Sequence, residues 1–136
     1  MKIIQVSGRA NTGKTTFIRN LIPALKSRGR VGVIKHLGDH EFQLDESKDT
    51  TVFFENGADV SVGIDSHKSV IALHTDNLDE MLRFLKNDGM DFAVIEGFKQ
   101  RNFPKIIIGD LLSDTCILRN PTVDQVISSL SLFEDY

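Results

Sequence analysis

The sequence has no tryptophan, only one cysteine (Cys116) and no long apolar run. A single cysteine excludes an intramolecular disulfide, which is typical of a protein from a reducing compartment. No apolar segment approaches the roughly 18 residues that a membrane-spanning helix requires. The first residues, Met1 to Val6, lack the layout of a signal peptide. We therefore expect a cytoplasmic protein that does not associate with a membrane.

The sequence also has little excess charge of either sign. Its 16 basic and 19 acidic residues leave a formal net charge of −3, so the basic stripe expected of a nucleic-acid-binding domain is missing. Hydrophobic residues make up 40% and charged residues 26% of the chain, a composition typical of a folded globular domain. A length of 136 residues suits one domain with a full core. We predict a single domain over residues 1–136 and no nucleic-acid partner.

The sequence contains a regular alternation of strand-length apolar runs with segments of helical period. The first helical segment places Phe17, Leu21 and Leu25 on one face, and capping-box spacings at residues 77–80 and 122–125 start two later helices. This alternation predicts an α/β fold of three layers, with a mostly parallel sheet flanked by helices. Strands are predicted over residues 2–7, 31–36, 60–64, 69–74, 92–96, 104–108 and 115–118, and the third and fourth of them form a hairpin. The first helix is predicted over residues 14–28, and another over residues 48–56.

Residues 8–15, GRANTGKT, match the complete phosphate-loop pattern G-x-x-x-x-G-K-[ST]. A buried strand precedes the motif and an amphipathic helix follows it, which is the context that phosphate binding requires. The two glycines let backbone amides approach a phosphate closely, and the amides of the first helical turn complete an anion site. In this pattern Lys14 contacts the β- and γ-phosphates, Thr15 ligates Mg²⁺ and Thr16 reaches the α-phosphate. The motif predicts a P-loop NTPase fold that binds a nucleoside triphosphate.

Three of the predicted parallel strands end in polar residues, at Ser7, Lys35 and Glu96. Ligands of open α/β sheets bind outside the carboxyl ends of the strands, so these side chains are expected to converge on the phosphates. Glu96 follows an apolar strand, as the acid of a Walker B strand does. Such an acid holds Mg²⁺ through water or orients the attacking water. The alternative is that its carboxylate only caps nearby backbone amides.

The loop after the second strand is rich in acidic and imidazole side chains. It has the position of a switch loop, which orders around a γ-phosphate and its metal. Asp45 and Asp49 are either metal-linked acids or caps of the following helix. The histidines either contact substrate or phosphate, or only pack or face solvent, because the partners of a zinc site are missing. The candidate residues of this loop are His36, Asp39, His40, Asp45, Lys48 and Asp49.

Several short segments together resemble one known family. They are GRANTGKTT, VGVIKH with a nearby second histidine, the triplet Lys48-Asp49-Thr50, the segment ENGAD, and FAVIEGFK followed by Pro104-Lys105. In this order they resemble the molybdopterin-guanine dinucleotide biosynthesis protein B (MobB) family over roughly residues 2–108. The conjunction of IKH, KD and VIEGFK carries the resemblance, since only the phosphate loop is specific alone.

The resemblance implies a P-loop fold, GTP binding with weak Mg²⁺-dependent hydrolysis, and dimerisation. It also implies an accessory role beside a separate MobA-type guanylyltransferase that attaches a guanine nucleotide to molybdopterin. The nucleotide-binding positions carried over are Gly8, Asn11, Thr12, Gly13, Lys14, Thr15, Thr16 and Glu96. Taken together, the motifs and the resemblance indicate Lys14 and Glu96 as candidate catalytic residues. The candidate metal ligands are Thr15, Glu96 and Asp45.

The sequence departs from the family pattern in the switch loop and near the base-binding region. Leu37-Gly38-Asp39 separates IKH from His40, and Ser47 stands where glycine commonly precedes the KD pair. Asn120-Pro121 occupies the region where the base would be read, and no N-K-x-D guanine signature is present. Sequence chemistry alone therefore leaves GTP and ATP both open.

Three classes of function remain open at this point. The first is a GTP-binding accessory protein of molybdenum-cofactor maturation, and the second is a small-molecule kinase with an acceptor pocket near residues 99–102. The third is a nucleotide-sensing interaction module without catalysis. A kinase usually surrounds the transferred phosphoryl group with several arginines, which are scarce around the motifs of this chain.

Overall fold

The structure is a computed structural model that describes residues 1–38 and 40–136. It divides into two compact units, which we call the sheet unit (residues 1–37 and 79–136) and the hairpin unit (residues 38–78). The prediction of a single domain over residues 1–136 stays a prediction. Asp39 of the predicted switch loop lies outside the described residues.

The elements alternate along the chain in the predicted order. The strands are β1 (Lys2–Ser7), β2 (Val31–Lys35), β3 (Val60–Ile64), β4 (Ser69–Leu73), β5 (Phe92–Glu96), β6 (Lys105–Ile107) and β7 (Cys116–Arg119). The helices are α1 (Lys14–Lys26), α2 (Asp49–Glu55), α3 (Leu78–Asn87) and α4 (Val123–Ser128), and a 3₁₀ turn covers Leu130–Leu132. Within the described part of the chain, no helix combines the length and the apolar character that crossing a membrane would need.

The sheet unit is built on five strands in the order β2-β5-β1-β6-β7, and all neighbouring pairs are parallel. Both faces of such a sheet are covered, because each crossover places a helix on one of them. The helix α1 covers one face with Ile18, Leu21 and Leu25, all buried. On the opposite face a Cβ at Gly32 would lie 2.7 Å from the Leu85 side chain of α3, so glycine allows that helix to approach. The predicted three-layer α/β fold is confirmed.

The core of the sheet unit lies mainly between α1, α4 and the central strands. Its fully or almost fully buried members come from β1, β5 and β6, from the two helices and from the C-terminal segment. They are Ile4, Val6, Ile18, Leu21, Leu25, Phe92, Val94, Ile106, Val126 and Phe133.

The observed element ends differ from the predicted ones by one or two residues, for local reasons. The helix α1 ends at Lys26 rather than Arg28, because the amides of Arg28 and Gly29 both bond to the carbonyl of Leu25 and tighten the last turn. The strand β6 begins at Lys105 rather than at Pro104, because proline has no amide to donate to a ladder. The capping box of α4 forms as predicted, between Thr122 and Gln125.

The hairpin unit consists of α2 and the antiparallel pair β3-β4, which confirms the predicted hairpin. Side chains alternate across its two faces. Ser61 is buried on one face and donates a hydrogen bond from its hydroxyl to the carbonyl oxygen of Thr50 at 2.7 Å. The opposite face carries exposed aliphatic side chains, which are Val60, Val62 and Ile64 from β3 and Ile71 from β4.

Candidate nucleotide-binding site

The P-loop, residues 8–15, connects β1 to α1 as the motif predicts. Gly8 lies against the backbone that follows β6, since a Cβ at Gly8 would lie 2.3 Å from the carbonyl oxygen of Ile108. Gly13 adopts a left-handed conformation with φ of 89° and ends the loop at the helix N-cap. The first intrahelical bond runs from the amide of Phe17 to the carbonyl of Gly13. Helix geometry therefore leaves the preceding amides, including that of Thr16, without an intrahelical acceptor and available to an anion.

The Lys14 side chain folds back over the loop. Its ammonium donates a hydrogen bond to the carbonyl oxygen of Arg9 at 2.5 Å, and the Thr12 hydroxyl donates to the same oxygen at 3.0 Å. Burial lowers the pKa of Lys14 below its usual value, and the charges of Lys99 and Lys35 act in the same direction against the opposing effect of Glu96. A phosphate group is the kind of ligand that would favour the charged ammonium in these surroundings.

Glu96 lies at the carboxyl end of β5, beside the first turn of α1. The Thr15 hydroxyl is 3.4 and 3.3 Å from its two carboxylate oxygens, and Lys35 Nζ lies 3.7 Å from Oε1. Only 12% of the Glu96 side chain is exposed, so this carboxylate is confined to the site. Hydroxyl and carboxylate oxygens are the ligands that Mg²⁺ prefers, so Thr15 and Glu96 would hold such an ion between them and it would neutralise phosphate charge there.

The loop after β5 is held by two buried side chains that the sequence analysis missed. Gln5 is fully buried in β1 and donates from Nε2 to the carbonyl oxygens of Gly97 at 2.7 Å and Phe98 at 2.8 Å. Lys105, buried in β6, donates to the carbonyl oxygens of Lys99 at 3.2 Å and Arg101 at 2.7 Å, and burial lowers its pKa. A polar residue inside each apolar strand was the available signal, because a buried donor must find an acceptor.

The histidine that follows β2 is placed by that same loop. The ring of His36 stacks on Phe98, with centroids 4.4 Å apart, and Phe98 has a left-handed backbone with φ of 49°. Of the two alternatives for His36, packing is thus observed, while a contact with phosphate or substrate stays a prediction.

The remaining switch-loop candidates belong to the hairpin unit. The carboxylate of Asp45 accepts hydrogen bonds from the backbone amide of Ser47 at 3.0 Å and from its hydroxyl at 2.6 Å, and these bonds lower the pKa of Asp45. Lys48 is the N-cap of α2 without a side-chain cap, and Asp49 is the first helical residue. The metal role of Asp45, and any phosphate role of His40, Lys48 or Asp49, stay predictions.

A family profile decides which P-loop proteins this chain belongs with. The profile of molybdopterin guanine dinucleotide synthesis protein B, MobB, matches residues 3–128. The chain belongs to the MobB family. The resemblance drawn from the short motifs is thereby confirmed.

Similar proteins named as molybdopterin-guanine dinucleotide biosynthesis adapter proteins agree with this placement. A probable molybdopterin-guanine dinucleotide biosynthesis adapter protein of Bacillus subtilis is 35% identical over 113 residues, covering 78% of this chain and 64% of the relative. The adapter protein of Haemophilus influenzae is 33% identical over 111 residues, covering 78% of this chain and 62% of the relative. A putative adapter protein of Methanocaldococcus jannaschii is 31% identical over 125 residues, covering 84% and 52%. The chain thus spans between about half and two thirds of the length of these relatives.

Solved structures of MobB proteins share the fold. The crystal structure of Bacillus subtilis MobB superimposes with a TM-score of 0.74 at 22% identity, over the full length of both chains. The MobB homologue of Bacillus stearothermophilus gives a TM-score of 0.59 at 22% identity, over all of this chain and 74% of the other.

The ends of β6 and β7 form the other flank of the P-loop in this MobB-family chain. Asn120, with a left-handed φ of 45°, accepts a hydrogen bond at its Oδ1 from the amide of Gly109 at 2.6 Å. The guanidinium of Arg119 donates to the carbonyl oxygens of Gly109 and Leu111, each at 3.0 Å. Asn120, in the region where the base would be read, therefore holds backbone in place.

Proposed function

We propose that this chain is a GTP-binding accessory protein of molybdopterin guanine dinucleotide biosynthesis, with slow Mg²⁺-dependent GTP hydrolysis. The observation that carries the proposal is the Thr15–Glu96 pair, 3.3 Å apart, next to the Lys14 ammonium at the mouth of a complete P-loop. The proposed role in molybdopterin guanine dinucleotide biosynthesis rests on membership of the MobB family and on similarity to adapter proteins of that name.

Each site residue has a distinct task in this proposal. Lys14 exchanges its bond to the carbonyl of Arg9 for the β- and γ-phosphate oxygens, and the Thr15 hydroxyl and the Glu96 carboxylate hold the metal. The bound Mg²⁺ neutralises phosphate charge there. The phosphates are enclosed by the backbone of Gly8, Asn11, Thr12, Gly13 and Thr16, and Asp45 is kept as a candidate further acid for the metal.

Slow hydrolysis follows from the way the nearby arginines are engaged. Arg101 makes a two-point ion pair with Asp79, at 2.6 and 2.9 Å, and Arg119 is bound to backbone carbonyls. Arg9 pairs with Asp110 at 3.2 Å. An arginine that reaches the transferring phosphoryl group raises rates by about 10³-fold or more. With Arg101 and Arg119 engaged elsewhere, neither fast hydrolysis nor phosphoryl transfer as in a kinase is favoured, and the exposed pair of Arg9 with Asp110 is too weak to decide the matter.

Association with other proteins is the second part of the proposal. We place a MobA-type guanylyltransferase and molybdopterin among the partners, and a second copy of the chain at the exposed face of the hairpin. That face carries Val60, Val62, Ile64 and Ile71, which are 49%, 46%, 78% and 45% exposed. Contiguous aliphatic side chains on one surface are typical of an interaction site, and a two-stranded hairpin gains stability when that face is covered.

The first test is the binding of nucleotide by calorimetry. The wild-type protein should bind GTP more tightly with Mg²⁺ than with EDTA. Lys14→Ala should lower the affinity by about 10²-fold or more, close to 3 kcal/mol, because it removes a charge-assisted contact to the phosphates. Lys26→Ala, at the exposed end of the same helix, is the matched control and should bind normally. Unchanged affinity in Lys14→Ala would refute the site.

The second test addresses the pathway. Labelled GTP is incubated with the protein alone, with molybdopterin, and with molybdopterin plus a MobA-type guanylyltransferase. An accessory role predicts that the protein increases formation of the guanine dinucleotide only when the transferase is present. Transfer of the γ-phosphate to molybdopterin by the protein alone would instead establish a kinase.

A further inference from the structure

If the proposed GTP binding holds, the position of Glu96 indicates on which side of β1 the nucleoside lies. Glu96 stands at the end of β5, on one side of β1, and marks the metal and the γ-phosphate. The phosphates run along the P-loop at the end of β1. The nucleoside therefore leaves on the opposite side of β1, where β6 and β7 end.

The loop after β6 touches the P-loop directly on that side. A Cβ at Gly8 would lie 2.3 Å from the carbonyl oxygen of Ile108, and a Cβ at Gly109 would lie 3.1 Å from Cγ2 of Thr12. Gly109 has a left-handed φ of 92°, which only glycine adopts easily. The residue after it, Asp110, is thus the first side chain beyond a tight contact between the two loops.

The polar side chains on this flank differ in what they already bind. Asn120 uses its carbonyl oxygen on the amide of Gly109, and Arg119 uses its guanidinium on two carbonyls of the same loop. Both therefore stabilise the loop that carries Asp110. The Asp110 carboxylate is 79% exposed and contacts the side chain of Arg9, which is 69% exposed, at 3.2 Å. An ion pair this exposed is weak and readily exchanged for a ligand.

We propose that Asp110 is the residue that selects guanine, its carboxylate accepting hydrogen bonds from N1–H and the 2-amino group of the base. Adenine presents an acceptor at N1 and no amino group at C2, so it offers this carboxylate no donor pair. The same edge of hypoxanthine has only N1–H. A carboxylate is an acceptor-only group, which makes the preference for guanine over adenine a direct consequence of its chemistry.

The test compares the affinities of GTP, ITP, ATP and XTP, each with Mg²⁺, for the wild-type protein and for Asp110→Asn. The wild type should bind in the order GTP, ITP, ATP. Asp110→Asn should lower the affinity for GTP by at least about tenfold and leave the affinity for ATP unchanged. It should raise the affinity for XTP by at least about tenfold. The gain for XTP arises because the amide NH₂ donates to the 2-oxo group of xanthine while its oxygen accepts from N1–H.

Two variants control for indirect effects. Asp114→Asn makes the same change of charge four residues further along the loop and should not alter base preference. Arg9→Ala removes the observed partner of Asp110 and should leave the preference for GTP over ATP intact. The same loss of preference in either control would overturn the proposal, since the effect would then be general charge or the arginine.

The remaining outcomes separate the inference from the proposed function. A wild type that binds GTP and ATP equally, or an Asp110→Asn variant that keeps the preference for GTP, overturns the role of Asp110 and leaves triphosphate binding standing. Equal loss of all four nucleotides in Asp110→Asn also overturns it, because the carboxylate would then act on the P-loop. A wild type that binds no nucleotide at all refutes the proposed function itself.

Discussion

The sheet unit and the hairpin unit bury their apolar residues to very different extents. In the sheet unit, Ile4, Val6, Leu21 and Leu25 are completely buried between a parallel sheet and its helices. In the hairpin unit, the strand β3 is exposed on the face that carries Ile64, which is 78% accessible. A parallel sheet needs cover on both faces, whereas an antiparallel sheet can leave one face open to solvent. The sheet unit thus carries the proposed nucleotide site on a well-buried core, and the hairpin unit leaves an apolar face exposed.

The largest expected difference between the two units concerns stability. Leu21→Ala should lower the free energy of unfolding by about 2–5 kcal/mol, because it removes a fully buried side chain and leaves a cavity beneath α1. Val62→Ala, on the exposed face of the hairpin, should cost less than about 1 kcal/mol. Urea denaturation followed by circular dichroism measures both. Equal losses in the two variants would show that the hairpin face is covered in solution.

The second prediction compares one candidate metal ligand from each unit. Glu96→Gln keeps the shape of the side chain but removes its charge, so it should weaken Mg²⁺-dependent GTP binding by at least about tenfold while sparing GDP binding in EDTA. Asp45→Asn is the parallel change in the hairpin unit, and a smaller effect is expected because the Asp45 carboxylate already accepts two hydrogen bonds from Ser47.

Calorimetry with and without Mg²⁺ decides between these two acids. If Glu96→Gln keeps the wild-type dependence on Mg²⁺ and Asp45→Asn loses it, the metal is held from the hairpin unit and Glu96 is structural.

The substitution with the smallest expected effect on stability, Ile64→Ser, should have the clearest effect on self-association. Ile64→Ser should change the free energy of unfolding by less than about 0.5 kcal/mol, because the side chain is mostly exposed. It should nevertheless weaken self-association at least about tenfold, measured by sedimentation equilibrium, if the hairpin face meets a second copy. Leu112→Ser, equally apolar and 88% exposed in the sheet unit, is the matched control and should not change it. The reverse pattern would move the contact to the sheet unit.

Elements with a strong local signal were predicted correctly from the sequence. The P-loop is defined by a fixed spacing of glycine, lysine and threonine, and the hairpin by two apolar runs with a short connection. The capping box of Thr122 and Gln125 likewise depends on residues three apart. Each of these features involves neighbours in the chain, so that local chemistry is enough to identify them.

Long-range contacts of the site were not predictable in the same way. Gln5 binds a loop more than ninety residues away, through Gly97 and Phe98. A buried glutamine in a strand indicates that it needs acceptors, but not which acceptors it finds. The sequence analysis named no base-reading residue for the same reason, since only the folded chain shows Asn120 bonded to Gly109.

The sequence by itself determined the α/β fold, the P-loop motif between the first strand and the first helix and, through its combined motifs, the MobB family. These depend on hydrophobic period and on spacing along the chain, which are local properties. The tertiary structure alone decided which side chains meet across strands: Thr15 with Glu96, and Asp110 left facing Arg9 while Asn120 and Arg119 turn back onto the loop. The order of strands in a sheet brings these residues together, and that order results from burying apolar faces over the whole unit.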